Sequence, residues 1–351
     1  MSTHAPLVLV ANAGDGSIST FALADGELTR LAVTPGITGC STFAVDAERD
    51  LVHAAVKPSH DGENAGILTL DLDRETGALT PRSRLDLPEG GLNYIALTRG
   101  GTGLLAASYG AGYGFTARVE DGEISAPVSR VAFANLHAVL ASPDGAHAYF
   151  VSLGDDLIAQ YALGEDMALH ALAPETVPAP AGSGPRHHVI SDDGASVLVL
   201  TEFTAEVLRY ARDAATGTLE LVGSAPASDP SAAMDVSRFG LSPQDNHVIW
   251  AADLHWGSPT VDGTRHVWAS ERQASTLAAV AVAPDGAMTA PSHFTVTQPQ
   301  PRGFALSPDG AHLVAAGERS TSVSLYAVDG DRLTLLQETE TGAGANWVRF
   351  V

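Results

Sequence analysis

The chain has 351 residues and a formal net charge of −22, from 19 Lys and Arg against 41 Asp and Glu. Phosphate backbones repel such an acidic surface, so the composition argues against a nucleic-acid-binding protein. A single cysteine, Cys40, excludes an internal disulfide and a cysteine-based zinc cluster. No apolar run reaches the length of a membrane span, and Met1–Pro6 lacks a secretory pattern. We therefore expect a cytoplasmic protein.

Internal repeats are the strongest pattern along the chain. A turn followed by a short strand recurs about every 45 to 50 residues, with one interval near 70, and this is the length of one four-stranded propeller blade. The copies are Asp25–Leu28, Glu75–Leu79, Asp121–Ile124, Gly164–Met167, Ala215–Leu219, Asp285–Met288 and Asp329–Leu333.

A second repeat is a β-hairpin closed by a short turn. Asp-Gly and related pairs between strand-like runs favour such hairpins. The copies are Ser142–Gly145, Ser191–Gly194, Ser242–Asp245 and Ser307–Gly310, with weaker ones at Asp46–Arg49 and Thr98–Gly101.

Two strand-like segments remain unpaired, Leu7–Ala11 near the start and Asn346–Val351 at the end. Pairing them would close a ring of sheets and protect both edges. We therefore predict an all-β fold in one domain over residues 1–351. It is a seven-bladed β-propeller of four-stranded antiparallel blades, the last blade being closed by the N- and C-terminal strands. A pair of β-sandwiches is the competing architecture.

The one long interval predicts a loop insertion at about residues 244–265. Its segment Asp253–Arg265 lies between two strand-like runs, Val248–Ala252 and His266–Ala269. The insertion is either a lid over one end of the ring or an ordinary surface loop.

The inner strands of a propeller line a central channel that opens in a funnel. Polar residues at the ends of these strands therefore converge from distant parts of the sequence. The candidates are Asn12, Thr42, Lys57, Asn93, Tyr109, His137, Ser152, Arg186, His188, Glu202, Arg238, Arg272, Arg302 and Glu318. Because the few cations of an acidic chain concentrate here, the set predicts an anionic ligand.

The hairpin Gly184–Phe203 is the richest of these segments. Antiparallel pairing brings Arg186 at its start close to Glu202 at its end. His187 and His188 alternate faces in a strand, so at most one of them joins Arg186, and we favour His188.

Five sequence pieces recur in a known family. They are Gly184–His187 with Thr201–Phe203, Leu136–Ala138 with Ser142–Gly145, Ala107–Gly112, Ala269–Arg272 and Pro301–Phe304. The chain resembles the seven-bladed propeller lactonases, a family that includes bacterial phosphogluconolactonases and carboxymuconate lactonizing enzymes. The resemblance implies that His137, Arg186, Glu202 and Arg272 are catalytic. We add His188, Tyr109, Arg238, Arg302 and Glu318 as substrate-binding candidates from their expected position at the funnel.

The predicted function is hydrolysis of a small anionic, sugar-type lactone without a cofactor or metal. This reaction needs a base for water and a positive group for the carbonyl oxygen. A muconate-cyclizing reaction with the same residues is the alternative, and a non-enzymatic binding propeller is a reading of another class. A metal held by His255 and His266 is a minor option. We expect a monomer or small homo-oligomer.

Overall fold

The structure is a computed structural model that describes residues 5–58 and 62–351. The first four residues, which carry part of the predicted non-secretory start, lie outside it. No helix in the described ranges is long and apolar enough to cross a membrane.

The described chain is built from short strands. Those of the first half are β1 (Leu7–Asn12), β2 (Ser17–Ala24), β3 (Glu27–Pro35), β4 (Phe43–Asp46), β5 (Leu51–Val56), β6 (Gly66–Leu72), β7 (Leu79–Asp86), β8 (Tyr94–Thr98), β9 (Gly103–Ser108), β10 (Tyr113–Glu120), β11 (Glu123–Ile124), β12 (Ser129–Ala132), β13 (Leu136–Ala141), β14 (His147–Ser152), β15 (Leu157–Leu163) and β16 (Leu169–Pro178).

Those of the second half are β17 (Pro185–Ile190), β18 (Ser196–Thr201), β19 (Glu206–Arg212), β20 (Leu219–Pro226), β21 (Ala251–Pro259), β22 (Arg265–Glu271), β23 (Thr276–Val282), β24 (Met288–Thr289), β25 (Phe294–Val296), β26 (Pro301–Leu306), β27 (His312–Gly317), β28 (Ser322–Asp329), β29 (Arg332–Glu340) and β30 (Ala345–Phe350). A short 3₁₀ helix spans Pro230–Ala232.

These strands form seven antiparallel sheets, the blades of a β-propeller. The inner strands are β4, β8, β13, β17, β21, β26 and β30. The predicted closure is confirmed, because β1 pairs antiparallel with β30 and places Val10 opposite Val348. Both ends of the chain thus share one sheet, and the β-sandwich alternative is wrong.

The core lies between neighbouring blades. The second strand of a blade is covered on both faces, so β1, β5, β9 and β14 are buried along their whole length. The outermost strands, such as β3 and β29, are largely exposed. Burying a large apolar side chain contributes about 1.5–3 kcal/mol, which makes the blade contacts the main source of stability.

The inner hairpins are closed by the predicted turns. In Ser142–Gly145 the Gly145 N–H donates to Ser142 O (2.8 Å), and Asp144 accepts from the Ala146 N–H (2.9 Å). The same bonds recur in Ser191–Gly194 and Ser307–Gly310. The strand ends, and hence the funnel residues, are therefore held in register by local turn chemistry.

The predicted insertion at 244–265 is wrong in position. Residues 251–259 form β21, which pairs with β22 through a turn closed by the Thr260 N–H to Thr264 O bond (2.8 Å). The extra residues precede this hairpin, between β20 and β21, where an isolated parallel bridge joins Asp235 to Val248. The Ser242–Asp245 turn therefore belongs to this connection and closes no inner hairpin.

Candidate active site

The β17–β18 hairpin brings Arg186 and Glu202 side by side. The Arg186 Nε donates to Glu202 Oε2 at 2.7 Å, and the Glu202 N–H donates to Gly184 O at 2.7 Å. Gly184 has a φ of +63°, and a Cβ there would lie 2.6 Å from the Phe203 ring. Only glycine fits this turn without strain, so it fixes how Arg186 enters the site.

Arg272 reaches the same carboxylate from the end of β22. Its Nη2 lies 3.0 Å from Glu202 Oε2, and its Nε donates to Trp250 O at 3.2 Å. The guanidinium carbon lies 3.6 Å from the centre of the Trp250 ring, a close cation–π contact. Trp250 also donates from Nε1 to Glu202 Oε1 at 3.2 Å. Both oxygens of Glu202 are therefore engaged.

Glu202 is held as a carboxylate. Burial alone would raise the pKa of Glu202, but the positive charges of Arg272 and Arg186 outweigh it, and the pKa lies below its ordinary value. A carboxylate with a lowered pKa and both oxygens engaged is a poor base. Its contacts suit it to holding the two like-charged guanidinium groups side by side.

His137 lies beside this cluster and is 6% exposed. Its ring packs edge-on against Tyr109 at 5.6 Å and His187 at 5.0 Å, and Asn93 Nδ2 donates to its backbone oxygen at 2.6 Å. Burial, followed by the charge of Arg186, holds the pKa of His137 well below its usual value. The imidazole is therefore neutral near pH 7.

A cavity of about 510 Å³ lies over these residues. Its charged lining comprises Lys57, Arg186, Arg272, Arg302, Glu202 and Glu318. Four cations face two carboxylates, a surplus of positive charge in a chain whose formal charge is −22. At the rim, Arg302 Nη1 donates to Glu318 Oε1 at 2.9 Å. The cavity is therefore suited to an anion.

A second cavity, of about 700 Å³, lies on the other side of His187. It is larger, but its charged lining is balanced: Arg265 and Arg349 face Asp192 and Asp253. We therefore place the candidate site in the smaller, cationic cavity.

Two predicted substrate-binding residues lie elsewhere. His188 borders the second cavity, and the expectation that it faces with Arg186 is wrong. The β17–β18 register shifts by one residue between Pro185 and His187. This bulge interrupts the strict alternation of faces, so His187 is the histidine that contacts Arg186. Arg238 is exposed in the connection before β21 and does not line the cationic cavity.

Sequence reasoning also missed several contributors. Trp250 stands at the end of the long connection, and Asp253 is the third residue of the true inner strand of its blade. Asn346 lines the cavity, and its buried amide oxygen has no hydrogen-bond partner among the described residues. Recognising Ala251–Pro259 as the inner strand would place both Trp250 and Asp253 near the site.

Within residues 5–58 and 62–351, no group of three or more His, Cys, Asp or Glu side chains is arranged to hold a metal ion. His255, considered as a ligand, places Nε2 3.0 Å from Asp253 Oδ2.

Comparisons with known proteins agree with this architecture. A family model described as "Lactonase, 7-bladed beta-propeller" matches residues 8–350. A 6-phosphogluconolactonase of Klebsiella pneumoniae strain 342 is 29% identical over 329 residues, 93% of this chain and 92% of the relative. One from Enterobacter sp. strain 638 is 28% identical over 332 residues, 92% of each chain.

Solved structures share the fold. A Bacteroides fragilis protein superposes with a TM-score of 0.84 at 21% identity, covering 100% of this chain and 99% of the other. A periplasmic gluconolactonase of Pseudomonas aeruginosa gives a TM-score of 0.81 at 22% identity, with 99% of both chains covered.

Proposed function

Because the chain belongs to the seven-bladed β-propeller lactonase family, we propose that it hydrolyses a small anionic, sugar-type lactone in the cationic cavity. The observation that carries the proposal is the surplus of positive charge around Arg186 and Arg272 in an otherwise acidic molecule. The curated relatives are named 6-phosphogluconolactonases, so a phosphorylated sugar lactone is the first substrate to test.

Arg186 and Arg272 bind the lactone carbonyl oxygen. Glu202 and Trp250 fix both guanidinium groups before substrate arrives. Donors held in place in a water-poor site stabilise the negative charge that develops on this oxygen, and they need no reorganisation during the reaction. The planar guanidinium also gives directional hydrogen bonds that a lysine cannot give.

His137 is the general base. It removes a proton from water as the water oxygen bonds to the carbonyl carbon, and negative charge moves onto the carbonyl oxygen. When the tetrahedral intermediate collapses, the ring C–O bond breaks and the departing oxygen takes the proton from His137. Arg186, Arg272 and Trp250 occupy both oxygens of Glu202, so the neutral imidazole of His137 is the better-placed proton acceptor.

The rim supplies recognition of the rest of the substrate. Lys57 and Arg302 line the same cavity and can pair with a phosphate or carboxylate tail. Asn346 lines the cavity as well, and its amide group can hydrogen-bond to a sugar hydroxyl. The muconate-cyclizing alternative receives no support from the relatives described above.

The test is the hydrolysis of 6-phosphoglucono-δ-lactone and glucono-δ-lactone, corrected for spontaneous hydrolysis. We expect wild type to accelerate both, with the higher kcat/KM for the phosphorylated lactone. Arg186→Ala should reduce kcat by about 10²–10³-fold, the usual cost of one oxyanion donor.

The matched control is Arg332→Ala, an exposed arginine at the start of β29, which should keep wild-type kinetics. Failure of wild type to hydrolyse either lactone, or full activity in a folded Arg186→Ala variant, would refute the proposal. Addition of EDTA should leave the wild-type rate unchanged, and a loss of activity would revive the metal alternative.

A further inference from the structure

Behind Arg186, a hydrogen-bonded chain leads away from the cationic cavity. Arg186 Nη1 lies 3.1 Å from His187 Nε2, and His187 Nδ1 lies 2.8 Å from Asp253 Oδ1. His187 is 3% and Asp253 2% exposed. The chain crosses from β17 to β21 and so links two blades through buried polar groups.

The chemistry of the chain fixes its protons. A guanidinium only donates, so His187 Nε2 must accept, and Nδ1 must then carry the hydrogen that it donates to Asp253. Burial, together with the Arg186 charge, lowers the pKa of His187 to about 3, which agrees with a neutral ring. The tautomer of His187 is therefore determined by its neighbours.

Asp253 is held as the anionic end of the chain. Burial alone would raise the pKa of Asp253, but His255 and the hydrogen bond from His187 hold it well below its usual value. The Leu254 N–H (3.0 Å), His255 Nε2 (3.0 Å) and the Phe304 N–H (3.4 Å) complete its bonds. A carboxylate with four donors and 2% exposure is a rigid anchor.

Arg186 is left with one orientation. Its Nε donates to Glu202, and its Nη1 is directed to His187 and donates to Ala252 O. Nη2 has no hydrogen-bond partner among the described residues, and Arg186 lines the cavity. The bonds on Nε and Nη1 therefore determine where the free nitrogen points.

We propose that His187 and Asp253 are positioning residues, which orient Arg186 so that Nη2 meets the lactone carbonyl oxygen. The proposal rests on the proposed function in taking Arg186 as the substrate-contacting group. It adds that Arg186 is preorganised from behind by a neutral histidine and a buried carboxylate. Catalysis by such donors is sensitive to displacements of about 1 Å.

A packing role for His187 must be separated from this one. Its ring also touches Tyr94 at 5.2 Å and Trp347 at 5.8 Å, so its removal disturbs apolar contacts as well. His187→Gln retains an acceptor for Arg186, whereas His187→Leu fills space without one. The neighbouring His188, buried and outside the cationic cavity, offers the matched pair His188→Gln and His188→Leu.

The experiment measures kcat and KM for 6-phosphoglucono-δ-lactone. We expect His187→Leu to lower kcat about 10–100-fold while KM changes less than about 3-fold, because the transition state needs the oriented donor most. His187→Gln should recover most of the loss, and both His188 variants should match wild type. Equal impairment of a folded Leu and Gln pair, or no impairment in either, overturns the proposal.

Kinetics of Asp253→Asn and a crystal structure of a variant test the positioning role independently of His187→Leu kinetics. If His187→Leu does not fold, Asp253→Asn keeps the shape and removes the charge; a fall in kcat of about 3–10-fold supports the proposal, and an unchanged kcat overturns it. A crystal structure of His187→Leu or Asp253→Asn should show the Arg186 guanidinium displaced. An unmoved Arg186 refutes the positioning role even if wild type proves inactive on lactones, which would separately refute the proposed function.

Discussion

Two hairpins of the propeller follow one plan, and they carry out different tasks. β17–β18 and β26–β27 both begin with Pro-Arg, and both are followed by a Glu that pairs with that Arg. The same one-residue register shift occurs in both, after Pro185 and after Pro301. The Arg186–Glu202 and Arg302–Glu318 contacts are also similar, at 2.7 and 2.9 Å.

Burial separates the two pairs. The Arg186 side chain is 2% exposed and that of Arg302 is 29% exposed. His187 follows Arg186, while Gly303 follows Arg302, and a Cβ on Gly303 would lie 2.4 Å from Asn346 O. The second hairpin therefore has no room for a supporting histidine. The surroundings of an ion pair therefore decide whether its arginine is a buried, fixed donor or a partly exposed rim charge.

The largest difference should appear on removing each carboxylate charge. Glu202→Gln leaves two buried arginines without their counter-ion, so the free energy of unfolding should fall by about 3–5 kcal/mol. Glu318→Gln breaks a partly exposed pair and should cost less than about 1 kcal/mol. Denaturant titration of both variants measures the difference. Similar losses in the two would contradict the distinction between a buried and a rim pair.

The second-largest difference should be in how acid destabilises the two hairpins. Burial lowers the pKa of His188 to about 3, whereas an unfolded histidine titrates near 6.5. The unfolded state therefore binds the extra proton, and stability that is present above about pH 6.5 is lost as the pH falls towards 3. The equivalent position in the second hairpin is Phe304, whose side chain does not titrate, so it adds no pH dependence to the free energy of unfolding.

The matched test is His188→Gln. Between pH 6 and pH 4 its unfolding free energy should fall less steeply than that of wild type, by about 1.4 kcal/mol per pH unit. Denaturant titrations at several pH values give both slopes. Parallel curves would mean that His188 is not held neutral by burial.

The two hairpins differ in how much of their structure the sequence predicts. The turns and repeats predict the blades, because each is a local pattern repeated many times, and the two unpaired terminal strands predict the closure of the ring. The Arg186–Glu202 contact also follows from simple hairpin pairing. The choice between His187 and His188 does not, since a bulge reverses the alternation and leaves no mark in the residue pattern.

Local sequence patterns also do not predict the position of the long connection between β20 and β21. Phe239–Leu241 and the following Ser-Pro turn imitate an inner hairpin, yet Phe239 is 60% exposed. The true inner strand is decided by which segment buries its side chains against neighbouring blades. Taking residues 239–245 as an inner hairpin wrongly places Arg238 at the funnel, and it leaves Trp250 and Asp253 out of the predicted site.

A smaller effect is expected from changing Trp250, which contacts the buried Glu202 and Arg272. Trp250→Leu removes both the face under Arg272 and the donor to Glu202, and we expect kcat/KM to fall about tenfold. Trp250→Phe keeps an aromatic face without the N–H, so its loss should be about threefold. Kinetics with the phosphorylated lactone separate the two contributions. If the Phe variant is as impaired as the Leu variant, the aromatic face contributes nothing.

The smallest effect belongs to the rim pair, and it should have the opposite kinetic character. Arg302→Ala removes a partly exposed charge, so KM for 6-phosphoglucono-δ-lactone should rise about 3-fold while kcat stays within about 2-fold. Glu318→Gln strengthens the positive potential and should lower KM slightly. Added salt should reduce both differences, because exposed charges are screened over about 10 Å at 0.1 M ionic strength. A loss in kcat that persists at high salt would instead place Arg302 with the fixed donors, and the two hairpins would then share one task.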